Sequence, residues 1–183
     1  MKKILSVLAL VISGSVFAGT VTLEGQSVDN DGAAGQRNAN ITVRENITKS
    51  VAGHVQVSTT QTDGTNAVST RLETGLTATT ALFGPVSGYS TVALGTALKS
   101  SGNYGYYSIE PGLSAPIGST GLTAKVGYRL RSAFNDSIAD TTRTARVGVS
   151  YALTKVDTIG VRYDHVTGDA TQKAVALNYT RSF

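Results

Sequence analysis

Two acidic clusters and one histidine are the places where this sequence could do chemistry. Asp29 and Asp31 flank Asn30, and Asp164 stands directly before His165. A carboxylate pair facing an Asp–His pair could activate a water molecule by general-base catalysis. The spacing argues against it, because adjacent residues of a strand point to opposite faces. Asp164 and His165 therefore cannot share a site without a bulge. Asp29, Asn30 and Asp31 also carry the oxygen donors of a calcium loop. The same residues form turns by bonding their own backbone, and that role needs no ion. The chain has no Cys, which excludes disulfides, thiolate metal sites and cysteine nucleophiles. Two His make a His-rich metal centre improbable. No catalytic residue, metal site or cofactor is assigned.

The wider composition points away from nucleic acid. The 183 residues carry a formal charge of +4 with only 15% charged residues. Lys2 and Lys3 contribute two of those charges and belong to an N-terminal address. Behind them runs the short apolar stretch Ile4–Ile12, then Ser13, Gly14 and Ser15, then Val16-Phe17-Ala18. This is the order of a secretory signal peptide, with cleavage expected after Ala18. The remaining +2 is too small for a nucleic-acid surface. The expected domain is therefore residues 19–183.

The elements that must position any site are strands. From Val21 onward the sequence alternates apolar and polar residues with period two, and no long apolar run follows that a membrane helix would need. Ala39, Ile41 and Val43 alternate with Asn40, Thr42 and Arg44. Val68, Leu72 and Leu76 share a face opposite Arg71 and Glu73. Leu122, Val126, Tyr128 and Leu130 oppose Lys125, Arg129 and Arg131. Ala145, Val147, Val149 and Tyr151 oppose Arg146, and Ile159, Val161 and Tyr163 oppose Arg162 and Asp164. Ten such segments are counted. Polar connections rich in Asp, Asn, Gly and Ser alternate with tighter turns, an asymmetry typical of a transmembrane β-barrel. Pro111 removes a ladder donor, so it marks a bulge or divides its strand. An eight-stranded barrel is the alternative that follows from the second case.

Alternation alone does not separate a soluble sandwich from a barrel turned inside out. The polar face decides for the barrel. It holds Glu24, Arg44, Arg71, Glu73, Glu110, Lys125, Arg129, Arg131, Arg146, Arg162 and Asp164, charges of both signs that pair and stay hydrated inside a closed wall. Aromatic residues fall toward strand ends. Phe83, Tyr151, Tyr179 and Phe183 form the expected girdle at the short-turn end, and Tyr104, Tyr106, Phe134 and Tyr163 the one at the loop end. Small inward residues, among them Ala93, Gly95, Gly112 and Gly127, leave room for water. The expected fold is an all-β, closed antiparallel up-and-down transmembrane β-barrel.

The C-terminal segment Ala174–Phe183 resembles the closing strand of bacterial outer-membrane barrels. Phe183, Tyr179, Leu177 and Val175 match the alternating apolar positions and terminal Phe that the assembly machinery reads in that family, while Arg181 departs from them. Tyr151–Lys155 and Gly160–Tyr163 are similar to the last turn and strands of general porins. The resemblance implies residence in the bacterial outer membrane, with lipids and lipopolysaccharide around it. Arg143 and Lys173, on the outward face near the loops, could pair with phosphates there. It also implies a small porin-like channel passing ions or small solutes. Its pore-lining set is Arg44, Arg71, Glu73, Glu110, Lys125, Arg129, Arg131, Arg146 and Arg162, with an anion preference from the basic excess. The open alternative is a sealed barrel that acts through its loops, its lumen charges forming a plug.

Overall fold

A computed structural model describes residues 19–65 and 68–183. The expected signal peptide lies outside the described residues. These form ten strands: β1 Gly19–Asn30, β2 Gln36–Asn46, β3 Val51–Thr62, β4 Val68–Phe83, β5 Val86–Leu98, β6 Tyr104–Pro116, β7 Leu122–Ala133, β8 Thr142–Ala152, β9 Asp157–Gly168 and β10 Gln172–Ser182. Each strand pairs antiparallel with its neighbours in the chain, and β1 pairs with β10 to close the barrel. The seam runs from Thr20 opposite Ser182 to Asn30 opposite Gln172, and Gly19 and Phe183 exchange backbone hydrogen bonds at 3.1 and 3.2 Å. Closure leaves no free strand edge, the condition for a sheet to sit in hydrocarbon.

The apolar face of every strand points outward. Leu23, Leu72, Leu76, Val92, Leu94, Ile109, Leu130, Val147, Val161, Val175 and Leu177 are all exposed, and Leu177 reaches 66%. A water-soluble protein buries such side chains. The polar face lines the interior, where Glu73, Thr77, Ser108, Thr144 and Asp164 are buried. The connections follow the expected division. Turns 47–50, 84–85, 117–121 and 153–156 lie at one end, together with both termini of the described chain. Loops 31–35, 63–65, 99–103, 134–141 and 169–171 lie at the other. Gly84 takes φ of +50° in the two-residue turn before Pro85, a conformation that glycine adopts without steric cost.

Pro111 neither bulges nor splits its strand. β6 runs whole through it, opposite Ser90 of β5 in unbroken register. Toward β7 the ladder keeps register from Ile109 opposite Leu130 to Gly112 opposite Gly127, with the two intervening pairs left unbridged. The missing N–H costs a local gap, not a strand, so the count is ten.

Two expected features are corrected. Tyr104 and Tyr106 do not belong to an outer girdle, since both point into the lumen with 9% and 2% of their surface exposed. They share the face of Ser108 and Glu110, and strand parity outweighs their position near the loop end. Tyr163 faces outward but sits opposite Val147 and Val175, well inside the apolar belt. At the loop end the outward aromatic contact is instead Tyr107 against Phe134, with ring centroids 5.7 Å apart. Nor are the small inward residues simply space for water. The Tyr106 ring lies across Gly95, and the Tyr89 ring lies across Gly112 and Gly127, so that a Cβ at any of the three would collide with a ring.

Candidate functional site: the lumen

The interior is divided into two halves of different chemistry. On β4 to β9, long side chains cross the lumen and pair. Arg162 of β9 reaches Glu24 of β1 through both terminal nitrogens, at 2.7 and 3.0 Å. Its Nε and Nη2 also donate to Asp164, at 2.8 and 3.0 Å. Arg146 of β8 pairs with Glu110 of β6 and lies 3.7 Å from Asp164. Arg129 of β7 pairs with Glu73 of β4 and donates to Ser108 at 3.0 Å. His54 of β3 stands 3.7 Å from the same Glu73. Tyr89 donates to Glu110 at 3.2 Å and to the Val126 carbonyl at 3.3 Å, beside the ladder gap at Pro111. In low dielectric such pairs persist only where hydrogen bonds satisfy the remaining lone pairs, and the tyrosines and serine help to provide them.

The loop end holds a fifth carboxylate that strand parity could not reveal. Loop 134–141 turns inward. Asn135 Oδ1 accepts from the Ser137 backbone N–H and hydroxyl, and Ile138 packs on Ala97, Tyr104, Tyr106 and Ala133. Asp140 is thereby held in the lumen, 2.6 Å from Arg131 and 3.8 Å from Arg71. The loop is pinned at its exit by Asp169, whose carboxylate accepts from the Thr141 N–H at 2.7 Å.

The other half, on β1 to β3, is lined mainly by neutral polar side chains, with Glu24, Arg44 and His54 among them. A cavity of about 520 Å³ touches the inward row of β1 from Thr20 through Thr22, Glu24 and Gln26 to Val28. It also touches the inward row of β2 from Gln36 to Arg44. Those five β1 positions span about 26 Å along the strand at 3.3 Å per residue. A second cavity of about 160 Å³ shares Thr42, Arg44, Gln56, Glu73, Arg129 and Arg146 with it. The amides knit this wall to the ionic half: Asn40 donates to Glu24 at 2.7 Å, Asn38 to Gln26 at 2.8 Å and Gln26 to Asp164 at 3.2 Å.

The structure thus brings Arg44, Arg71, Glu73, Arg129, Arg131, Arg146 and Arg162 to the main cavity, and Glu110 to the second. Lys125 faces inward near the turn end, over the Tyr89 ring at 4.8 Å. Asp164 is buried in the lumen, whereas His165 is opposite Ala145 and Lys173 on the outer row. Asp29 and Asn30 end β1, with Asp29 opposite Lys173, and only Asp31 enters the turn, where the Asn30 amide donates to the Ala34 carbonyl at 2.6 Å.

Val175, Leu177 and Tyr179 of β10, with Phe183 just after it, form one exposed outward row. Arg181 belongs to that row as well. It lies 3.4 Å from Asp157 of β9, and Tyr179 donates to the same carboxylate at 2.6 Å. The charge that breaks the apolar pattern therefore carries its own counter-ion on the neighbouring strand.

No protein-family model matches the sequence, and no curated protein matches it by sequence. Solved structures do match by shape. The NanC porin aligns over 89% of this chain and 100% of its own, with TM-score 0.56 and 10% identity. The chain has an outer-membrane β-barrel fold. An outer-membrane channel from Pseudomonas putida F1 aligns over 93% of this chain and 97% of its own, with TM-score 0.55 and 11% identity. The beta domain of the Bordetella autotransporter BrkA aligns over 92% of this chain and 100% of its own, with TM-score 0.51 and 10% identity. At such identities the likeness is one of fold, and it joins channels with an autotransporter domain. What distinguishes this barrel is its own lumen.

Proposed function

We propose that the protein is a small porin-like channel of the bacterial outer membrane, exported by its signal peptide and passing ions or small solutes by diffusion. One observation carries the reading: the cavity that follows β1 from Thr20 to Val28 and β2 from Gln36 to Arg44. Along β1 and β2 its wall of threonine, glutamine and asparagine, between the charges of Glu24 and Arg44, offers a passing ion hydrogen-bond partners. The porin and channel folds it resembles support transport over catalysis. The apolar belt suits outer-membrane lipid. Arg143 and Lys173 on the outer row fit the phosphates of lipopolysaccharide, and the β10 row fits the signal read by the assembly machinery.

Planar-bilayer recording of the refolded residues 19–183 tests the channel. Discrete conductance steps are expected. A barrel shown to be folded by heat-modifiable gel migration, yet electrically silent, overturns the reading. Silence would instead favour a sealed barrel acting through its loops. The specific observation behind that second reading is the filling of the β4–β9 half by Tyr89, Tyr104, Tyr106 and the ion pairs, with Ile138 packed in from the loop.

A further inference from the structure

The lumen has a basic excess, but its distribution is uneven. Five carboxylates face the interior: Glu24, Glu73, Glu110, Asp140 and Asp164. Each is engaged by an arginine within 3 Å: Glu24 and Asp164 by Arg162, Glu73 by Arg129, Glu110 by Arg146 and Asp140 by Arg131. Arg71 shares Asp140 at 3.8 Å. Arg44 is different. It makes no ion pair or side-chain hydrogen bond with any described residue, although it borders both cavities where they meet. Its cross-strand neighbours on the inward face are Thr20 and His54, and His54 is turned to Glu73. Two lysines also have no carboxylate partner among the described residues: Lys125, the next inward cation at the turn end, lies over the Tyr89 ring, and Lys99, which borders the main cavity at the loop end, lies over the Tyr104 ring. A cation already paired with a carboxylate presents little net field to a passing ion, whereas an unpaired one presents its full charge.

We propose that Arg44, assisted by Lys125, is the selectivity element of the lumen, a site for small inorganic anions in its turn-end half. The arginines at 129, 131, 146 and 162 are wall braces whose charge is largely spent on carboxylates. This rests on the channel reading and goes beyond it by naming which cations act on the permeant ion. An ion passing about 5 Å from one unpaired charge in water-like dielectric is favoured or disfavoured about fourfold according to its sign.

The test is the reversal potential of single barrels in a potassium chloride gradient. Wild type is expected to prefer chloride. Arg44→Gln should lower the anion-to-cation permeability ratio at least about fourfold, Arg44→Lys should retain it, and Arg44→Gln with Lys125→Gln should lower it further. The charge-balanced pair Glu73→Gln with Arg129→Gln should shift it less than Arg44→Gln does. Lys125→Gln alone gives the same direction should the Arg44 variants refold poorly. Wild-type steps without chloride preference overturn the inference and leave the channel standing. So does a preference that loss of both cations leaves unchanged, or one that follows the Glu73–Arg129 pair instead. A folded wild-type barrel with no steps at all overturns the channel reading itself.

Discussion

Replacing Arg162 with methionine removes the centre of the largest ionic cluster. Methionine keeps much of the stem volume but none of the donors. Four charge-assisted hydrogen bonds are lost, at 2.7, 3.0, 2.8 and 3.0 Å, and two carboxylates are stranded. Their side chains are only 9% and 4% exposed. At about 1.5 kcal/mol net for each bond to a charged group the loss would approach about 6 kcal/mol. Two relaxations reduce it. Glu24 borders the main cavity, where water can reach it, and Asp164 keeps Gln26 and the more distant Arg146. The expected cost is about 3 kcal/mol, at the lower end for breaking a buried pair. The assay is reversible urea unfolding of the refolded barrel in lipid vesicles. The chain has no Trp, so far-ultraviolet circular dichroism and gel mobility report the transition. The decisive comparison adds Glu24→Gln and Asp164→Asn to Arg162→Met. With no stranded charge, stability should return to within about 1 kcal/mol of wild type. A single variant that loses less than about 1 kcal/mol, or a triple variant no more stable than the single one, would refute the reasoning that the cluster matters through charge compensation.

Three further outcomes follow from the same geometry. Gly95→Ala drives a Cβ into the Tyr106 ring and should destabilise the barrel by about 1–3 kcal/mol in the same urea assay, an effect that Tyr106→Ala in the same chain partly relieves. Asp157→Ala leaves Arg181 facing lipid without its counter-ion and Tyr179 without its acceptor; the fraction of protein reaching the heat-modifiable folded form should fall, and Arg181→Leu in addition should restore it. Asp140→Asn weakens the link from loop 134–141 to Arg131 and Arg71 while leaving Ile138 in place; open-channel conductance should rise, and Ile138→Ser combined with it should raise conductance further.

The fold was legible because lipid imposes a strict rule on each strand. Every second residue must be apolar over a membrane span, so Leu72, Val126 or Val161 announces its face without reference to any partner. The inward charges were legible by the same parity. What parity could not supply was the partner across the lumen. That Arg162 of β9 meets Glu24 of β1 while Arg44 of β2 meets no carboxylate depends on register summed around a closed sheet, and alternation within one strand carries no such information. Asp140 escaped for a related reason, since a loop has no parity to read. Its signal lies in Ile138, a large apolar residue following Asn135, Asp136 and Ser137, which packs by turning back into the barrel. Nearness to a strand end points Tyr104 and Tyr106 to a girdle, but strand face overrides it and turns both inward. Yet their matching glycine was present in the sequence: Gly95 stands directly opposite Tyr106 on the neighbouring strand. A glycine on the inward face of one strand and a tyrosine on the inward face of the next mark a ring lying across its neighbour, not water. This changes the functional argument as well. Small inward residues measure lumen width only where no aromatic is paired with them, so the open path is read on β1 to β3, where threonine and amide side chains stand without a ring to cover them.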